Sequence, residues 1–477
     1  MPANPAHAFD LIVIGAGSAG LAAAGRAAQL GARTLLIDRA QVGGTCVNRG
    51  CAPKTLLGYG AAWSHTVTRC LRTAYAADAW ADAIARTRAE VTRLHDTHFT
   101  QLANAGVQWL CGTASLRGRG IVRVQTDAGK TTLRARQIVL AAGAHPVPLP
   151  VPGAELACTS DDVFGWDTLP ASLIIVGGGV IAVEMASTLA RFGVRVTLLT
   201  RDACVLPEFD AALSEAATQA LASCGVDVIL NADIARVEHD AVNGGGVTVY
   251  ASTPGNDIPR VLRAQHVLSA IGRAPNTVGL GLHAAGVKLD ARGHVAIDRH
   301  FRTRARGVHA VGDMCGASPR QLTPVAAAQG HYVAERLFGK GIKLPDMSAV
   351  PMAVFCDPAI ASVGLTEADA RSRRPDLGKR PRLETGDDKR APADCIDVVV
   401  RRFVSLEQRF AGTGMESLIK LVCNARSGRV LGAHIVDNAA PEIIQALAVA
   451  VRMGVRLKHL RTTVGLHPTA AQALLSI

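Results

Sequence analysis

The stretch FDLIVIGAGSAG, residues 9–20, decides how this chain folds. Phe9–Ile14 is a short, mostly apolar run with the length of a strand. Glycines at 15, 17 and 20 follow at once, and then the alanine-rich Leu21–Leu30. The order reads strand, tight turn, helix. The first glycine makes the turn, the second lets a pyrophosphate approach the backbone, and the third allows helix and strand to pack closely. The start of such a helix offers unpaired N–H groups and a positive dipole end to an anion. A second strand, Thr34–Ile37, ends at Asp38, 23 residues after Gly15. A carboxylate is expected there to hold a ribose hydroxyl.

The same order recurs at Ser172–Val176, then Gly177-x-Gly179-x-x-Ala182, a helix to Phe192 and a strand Val194–Leu199. At the matching distance stands Thr200, followed by Arg201. Without the carboxylate a 2′-phosphate is not repelled, and an arginine can pair with it. This second unit is therefore expected to take NADP rather than NAD.

Outward from these units the chain divides further. Pro53 to Ala105 reads as a long, mainly helical stretch, and strand-like segments follow as far as Ile138–Ala142. Pro146–Pro152 looks like a connection between domains. Gln265–Ala270 closes the second unit, and Val308–Gly312 leads into a helix near Pro324. From Ser348 the pattern changes to short strands (Val398–Phe403, Leu418–Val422, Val430–Ile435) and a helix, Glu442–Met453. Ala370–Ala393 reads as solvated. The expected architecture is α/β, with two Rossmann-like nucleotide-binding domains and a C-terminal α+β domain. The boundaries are 1–146, 147–276, 277–347 and 348–477, the third segment completing the first nucleotide site.

Composition agrees. With 477 residues, 49% hydrophobic and 19% charged, the chain can bury large cores. No apolar run approaches the ~18 residues of a membrane span. The start shows no signal peptide, and eleven scattered cysteines suit reduced thiols in the cytoplasm. The net charge of +12 suits anionic small molecules, while only 4% aromatic residues and no basic stripe argue against nucleic acid.

Cys46-Val47-Asn48-Arg49-Gly50-Cys51 carries the chemistry. Pro53 suits the first turn of a helix, and a thiolate at a helix N-terminus is stabilised by the dipole. Two thiols at this spacing can close a small, reducible ring. Two buried cysteines or half a zinc site are the other readings of spacing alone, although no second ligand pair is evident.

GGTCVNRGCAPK, residues 43–54, resembles the redox motif of FAD-dependent pyridine nucleotide–disulfide oxidoreductases. Ala310-Val311-Gly312-Asp313, Leu322-Thr323-Pro324-Val325-Ala326, Ala270 to Asn276, and Leu466-His467-Pro468-Thr469 resemble further motifs of that family, in the same order. The resemblance spans nearly the whole chain. It implies that FAD meets Gly15, Gly17, Ser18, Ala19, Gly20, Asp38, Thr45, Ala114, Gly143, Asp313 and Thr323. It implies that NADPH meets Gly177, Gly178, Gly179, Ile181, Arg201, Gly272 and Arg273. Cys51 would face the flavin, and Cys46 would attack the substrate disulfide. Lys54 would pair with Glu184, and His467 would serve as acid–base from the partner subunit of a homodimer. Ser18 and Arg336 would contact substrate, and no metal is implied.

The texture is most similar to glutathione reductases, for example at Ala182–Ala186, Ser362–Glu367 and Ala448–Gly454. Gln472 stands where that family places a glutamate beside the histidine, Pro207 where a second phosphate-binding arginine is expected, and Val180 where an aromatic shields the flavin. Gly25 and His98 replace two glutathione contacts. A related disulfide is thus a rival substrate. Mercuric reductase is a weaker resemblance because the tail Ala473–Ile477 has no cysteine pair. Dihydrolipoamide dehydrogenase is weaker because Thr200-Arg201 lacks the acid of an NAD enzyme. A nucleotide-binding redox sensor would need no electron relay.

Overall fold

The computed structural model describes residues 8–71, 76–240, 245–316, 321–372, 396–410, 412 and 414–477. The opening run forms β1 (Phe9–Ile14), in which Leu11, Ile12 and Val13 are fully buried. Burial on both faces is what a central parallel strand requires. β1 pairs in parallel with β2 (Thr34–Asp38) and with the second half of β6 (Gly129–Leu140). β3 (Gln108–Cys111) adds outside β2, and β17 (Val308–Ala310) adds outside β6. The segment expected to complete the first nucleotide site thus contributes a strand to the same sheet. The first half of β6 turns away into an antiparallel layer with β5 (Ile121–Thr126) and β4 (Thr113–Leu116). Helices α1 (Ser18–Gln29) and α8 (Thr323–Phe338) lie against each other. Their contact is close enough that a Cβ on Gly330 would come within 2.1 Å of the Ala19 carbonyl oxygen.

The second unit is a five-stranded parallel sheet. Its strands are β8 (Ala157–Thr159), β9 (Ser172–Val176), β10 (Arg195–Leu199), β11 (Asp227–Ile229) and β15 (His266–Ser269), in the order β11-β10-β9-β15-β8. Helices α6 (Val180–Arg191) and α7 (Ala211–Ser223) share its core. An antiparallel layer of β12 (Asp233–His239), β13 (Val247–Thr253) and β14 (Asn256–Ala264) precedes β15. The sequence reading did not include this layer. The two crossings between the units are zipped together, because β7 (Ala144–Pro146) pairs with β16 (Arg273–Pro275).

The C-terminal region is a five-stranded antiparallel sheet of β18 (Met352–Val354), β19 (Ile360–Gly364), β20 (Ile396–Phe403), β21 (Ser417–Asn424) and β22 (Val430–Val436). The helix Ala440–Arg452 packs on it through Ile444, Leu447 and Val451. The long helical stretch is two helices, α3 (Cys51–Leu71) and α4 (Ala76–Asn104). Of the stretch read as solvated, Ala370–Ser372 ends a short helix, and the rest lies outside the described residues.

Candidate active site

The C-terminal ends of the parallel strands of the first sheet converge on one place, as ligand sites of open α/β sheets do. Asp38 closes β2, and its carboxylate accepts the Ala16 N–H (2.6 Å) and the Ala40 N–H (3.0 Å). α1 begins after Gly17 with no side-chain cap, so its first N–H groups remain available to an anion. Ser18 is the first residue of α1, and Gly20 sits so close to Gly15 that a Cβ would reach 1.8 Å from the Gly15 oxygen. The short helix α2 (Gly44–Arg49) approaches the same turn. Gly44 has φ +59°, and a Cβ there would stand 2.6 Å from the Gly17 Cα, so two bare backbones meet. Gly143 and Gly312 follow β6 and β17, and Ala19 lies beside Gly312. Asp313 is next. Burial pushes its carboxyl pKa up, and the Arg273 guanidinium opposes that rise. Ala114 is buried in one cluster with Ile37, the residue before Asp38. A cradle of bare backbone, an uncapped helix start and two carboxylates fit an extended dinucleotide.

α2 and α3 bring the two cysteines together. Cys51 begins α3, while Cys46 lies in α2. Both are free thiols, Cys51 exposed and Cys46 half-buried. Cys51 is held well below an ordinary thiol, at about 6, first by the hydrogen bond from Cys46. The Lys54 cation and the Thr323 hydroxyl also favour its thiolate, while burial opposes it. Cys46 is pushed up, first by that same hydrogen bond to Cys51 and then by burial. The pair shares one proton readily lost and one strongly kept. The Thr323 hydroxyl, at the start of α8, lies 3.7 Å from the Cys51 sulfur.

Lys54, one turn into α3, forms an ion pair with Glu184 of α6. Glu184 is almost wholly buried, and its other oxygen accepts the Phe355 N–H at 2.8 Å. α3 therefore links the dithiol to the second nucleotide unit. The Phe355 contact carried no signal in the sequence, since a backbone donor from a distant segment leaves no residue pattern.

In the second unit a Cβ on Gly177 would reach 2.3 Å from the Ala270 oxygen, and one on Gly178 would reach 2.7 Å from the Thr200 hydroxyl. Gly179 precedes α6 without a side-chain cap, with open space around it, and Ile181 is half-buried in the first turn. Arg201 is exposed just past β10. Arg273, expected at the second nucleotide, donates to the Ala144 carbonyl (2.6 Å) and the Thr45 hydroxyl (3.4 Å), beside Asp313. Gly272, before it, takes φ +131° and faces open space. Asp161, in α5 (Ser160–Val163), was not anticipated. It pairs with Arg49 at 3.3 Å and feels Arg273, while burial raises its pKa.

Two expectations are not drawn into this cluster within one chain. Arg336 lies 13 residues along α8 from Thr323, about 20 Å at 1.5 Å per residue, with its guanidinium near the Tyr332 ring. His467 is exposed, and its Nδ1 lies 2.9 Å from the Gln472 Oε1. An amide oxygen can only accept, so Nδ1 carries the hydrogen and Nε2 is left as the basic nitrogen.

Among the described residues no helix is long and apolar enough to cross a membrane, and no group of three or more His, Cys, Asp or Glu is placed to hold a metal ion. The pyridine nucleotide-disulphide oxidoreductase family model matches residues 9–330, and the dimerisation domain of that family matches 384–476. A glutathione reductase of Burkholderia cepacia is 37% identical over 474 residues, 98% of each chain. A glutathione reductase of Nostoc is 33% identical over 483 residues, 98% of this chain and 99% of the relative. A trypanothione reductase of Trypanosoma congolense is 29% identical over 496 residues, 98% of this chain and 95% of the relative. The chain therefore belongs to the pyridine nucleotide–disulphide oxidoreductases, as an NADPH-dependent, FAD-containing disulfide reductase.

Proposed function

We propose that this reductase acts on glutathione disulfide or a closely related low-molecular-weight disulfide, as a cytoplasmic homodimer. The observation that carries the reading is the Cys46–Cys51 dithiol joined through Lys54 to buried Glu184. The glutathione reductase relatives aligned over nearly the full chain support the substrate class. The same reading assigns 1–146 and 277–347 to the FAD domain, 147–276 to the NADPH domain and 348–477 to the interface domain.

FAD would lie in the cradle of Gly15, Gly17, Ser18, Ala19, Gly20, Asp38, Thr45, Ala114, Gly143, Asp313 and Thr323. NADPH would lie against Gly177–Gly179, Ile181, Arg201, Gly272 and Arg273. Bound there, FAD would supply the two electrons, drawn from NADPH, that reduce the Cys46–Cys51 disulfide. The partner subunit's His467 accepts the Cys46 proton at Nε2. The Cys46 sulfur attacks one sulfur of the substrate, forming a mixed disulfide and releasing one thiolate. That thiolate takes the proton back from the partner subunit's His467. The Cys51 thiolate then attacks the Cys46 sulfur, restoring the intramolecular disulfide and releasing the second thiolate, which is protonated from solvent. Gln472 fixes the tautomer but brings no charge to stabilise the imidazolium.

A second subunit is supported by apolar side chains around this tail. Leu466 and Val464 are 75% and 95% exposed in the single chain. Nine described cysteines are free thiols, which suits a reducing compartment. The departures at Gly25 and Gln472 favour a modified disulfide as the second reading. NADPH oxidation followed with glutathione disulfide, with NADH as control, tests the proposal. Rapid NADPH-dependent turnover supports it. Flavin reduction without turnover moves the search to other disulfides.

A further inference from the structure

Asn48 lies between the two redox cysteines, and its contacts reach well beyond them. Its amide nitrogen donates to the carbonyl oxygens of Gly44 (2.9 Å), Val42 (3.2 Å) and Gln41 (3.3 Å). These carbonyls belong to the turn that brings α2 against Gly17. With the nitrogen so engaged, Oδ1 is left to accept, and its partner is the Nε2 of His95 on α4. The histidine must therefore donate.

We propose that His95 is a positioning residue for the redox pair, locking the loop of Cys46 and Cys51 against the cofactor turn through Asn48. The proposal rests on the disulfide reductase reading of the cysteines. α2 is only six residues long, and its ends are Gly43, with φ +106°, and Gly50. A helix of that length does not hold itself together, so its pose depends on tertiary contacts. α4 supplies a firm post, since it is 29 residues long and buries Trp80, Ile84 and Leu102 in two separate cores. Other titratable groups felt by His95 are His98, which with burial favours the neutral ring, and Asp96, which opposes. Nε2 carries a hydrogen in the neutral tautomer required here and in the charged ring alike, so the bond persists when the ring titrates. Removing the donor strands a half-buried amide oxygen and frees the turn to shift. The contact most sensitive to that shift is the hydrogen bond from Cys46 to Cys51, because its two sulfurs sit on different helices.

The test uses the flavin-loaded enzyme with His95→Gln and His95→Met, two side chains of similar size of which only glutamine can donate. After reduction by NADPH, the pH dependence of alkylation by iodoacetamide is measured for each. Loss of the donor in His95→Met is expected to shift thiolate formation to higher pH. Alkylation near pH 6 should then fall about threefold to tenfold, the worth of one hydrogen bond. His95→Gln should titrate like the parent. Unchanged thiol titration in His95→Met, even with a lowered melting temperature, overturns the proposal, as does an equal shift in both variants. If His95→Met does not yield flavin-loaded protein, His95→Asn, whose shorter amide does not reach Asn48, is read in the same way. Because alkylation needs no disulfide substrate, failure with glutathione disulfide leaves this result independent.

Discussion

Lys54 and Glu184 form the charged link between the dithiol and the second nucleotide unit, and separating them should be costly in a defined way. Lys54 is 14% exposed and Glu184 1%. Removing one partner of so buried a pair leaves the other charge uncompensated, at about 3–5 kcal/mol. Lys54→Met strands the carboxylate. Glu184→Gln offers one acceptor to two donors, the Lys54 ammonium and the Phe355 N–H, so one of them goes unmet. In the double variant both charges are gone, and the amide oxygen can serve Phe355 alone. The two single losses should therefore not add, and the coupling should reach about 2–3 kcal/mol. The assay is chemical denaturation of all four proteins with excess FAD, so that differences in cofactor loading do not enter. The same proteins give a second, opposite-signed readout. Lys54 lowers the Cys51 pKa and Glu184 raises it, so Lys54→Met should move thiolate formation upward from about 6, and Glu184→Gln downward. Additivity within about 0.5 kcal/mol would refute the reasoning, as would thiol shifts of the same sign.

Three further outcomes follow from the site. Cys51 ionises at about 6 in the folded chain against 9.0 for an ordinary thiol, so its contribution to stability is full above 9 and is lost as pH falls through 6. Denaturation of the reduced form, compared with the disulfide form, should show that relative loss as pH falls from about 9 to about 6 and little further change below. Arg201→Ala should raise KM for NADPH by about tenfold or more, the worth of a charged hydrogen bond, and leave KM for NADH unchanged. Gln472→Glu should accelerate reoxidation of the reduced enzyme by disulfide, because a carboxylate stabilises the imidazolium, with no change in reduction by NADPH. Stopped-flow traces of the two half-reactions separate these effects.

Much of this was legible in residue order because the relevant geometry is local. FDLIVIGAGSAG predicts a buried strand, a turn and an uncapped helix start, and β1 and α1 have that form. The repeat at Gly177 predicts a second parallel unit, and its five strands take the same kind of order. The β12–β13–β14 layer was not legible, since its strands pair only with one another and carry no turn motif as strong as the glycine fingerprint. β18 and β19 carry no such signal either, being only three and five residues long, and β19 is tied into the sheet by β22, about seventy residues further on.

At the site, Cys46, Cys51 and Lys54 were visible because they share one short segment, and resemblance supplied Glu184 and His467. The surroundings of Arg273 were not legible: the β7–β16 pairing carries its guanidinium to Thr45 and Ala144. Asp161, Phe355 and His95 had no mark in the sequence, because each acts across more than forty residues through one hydrogen bond or ion pair. Local pattern thus settled the nucleotide-binding units and the redox segment, since backbone conformation and apolar periodicity act over a few neighbouring residues. Folding in three dimensions decided which thiol carries the charge and what braces it. Those properties depend on burial and on donors brought from remote elements, and neither is encoded at any single position.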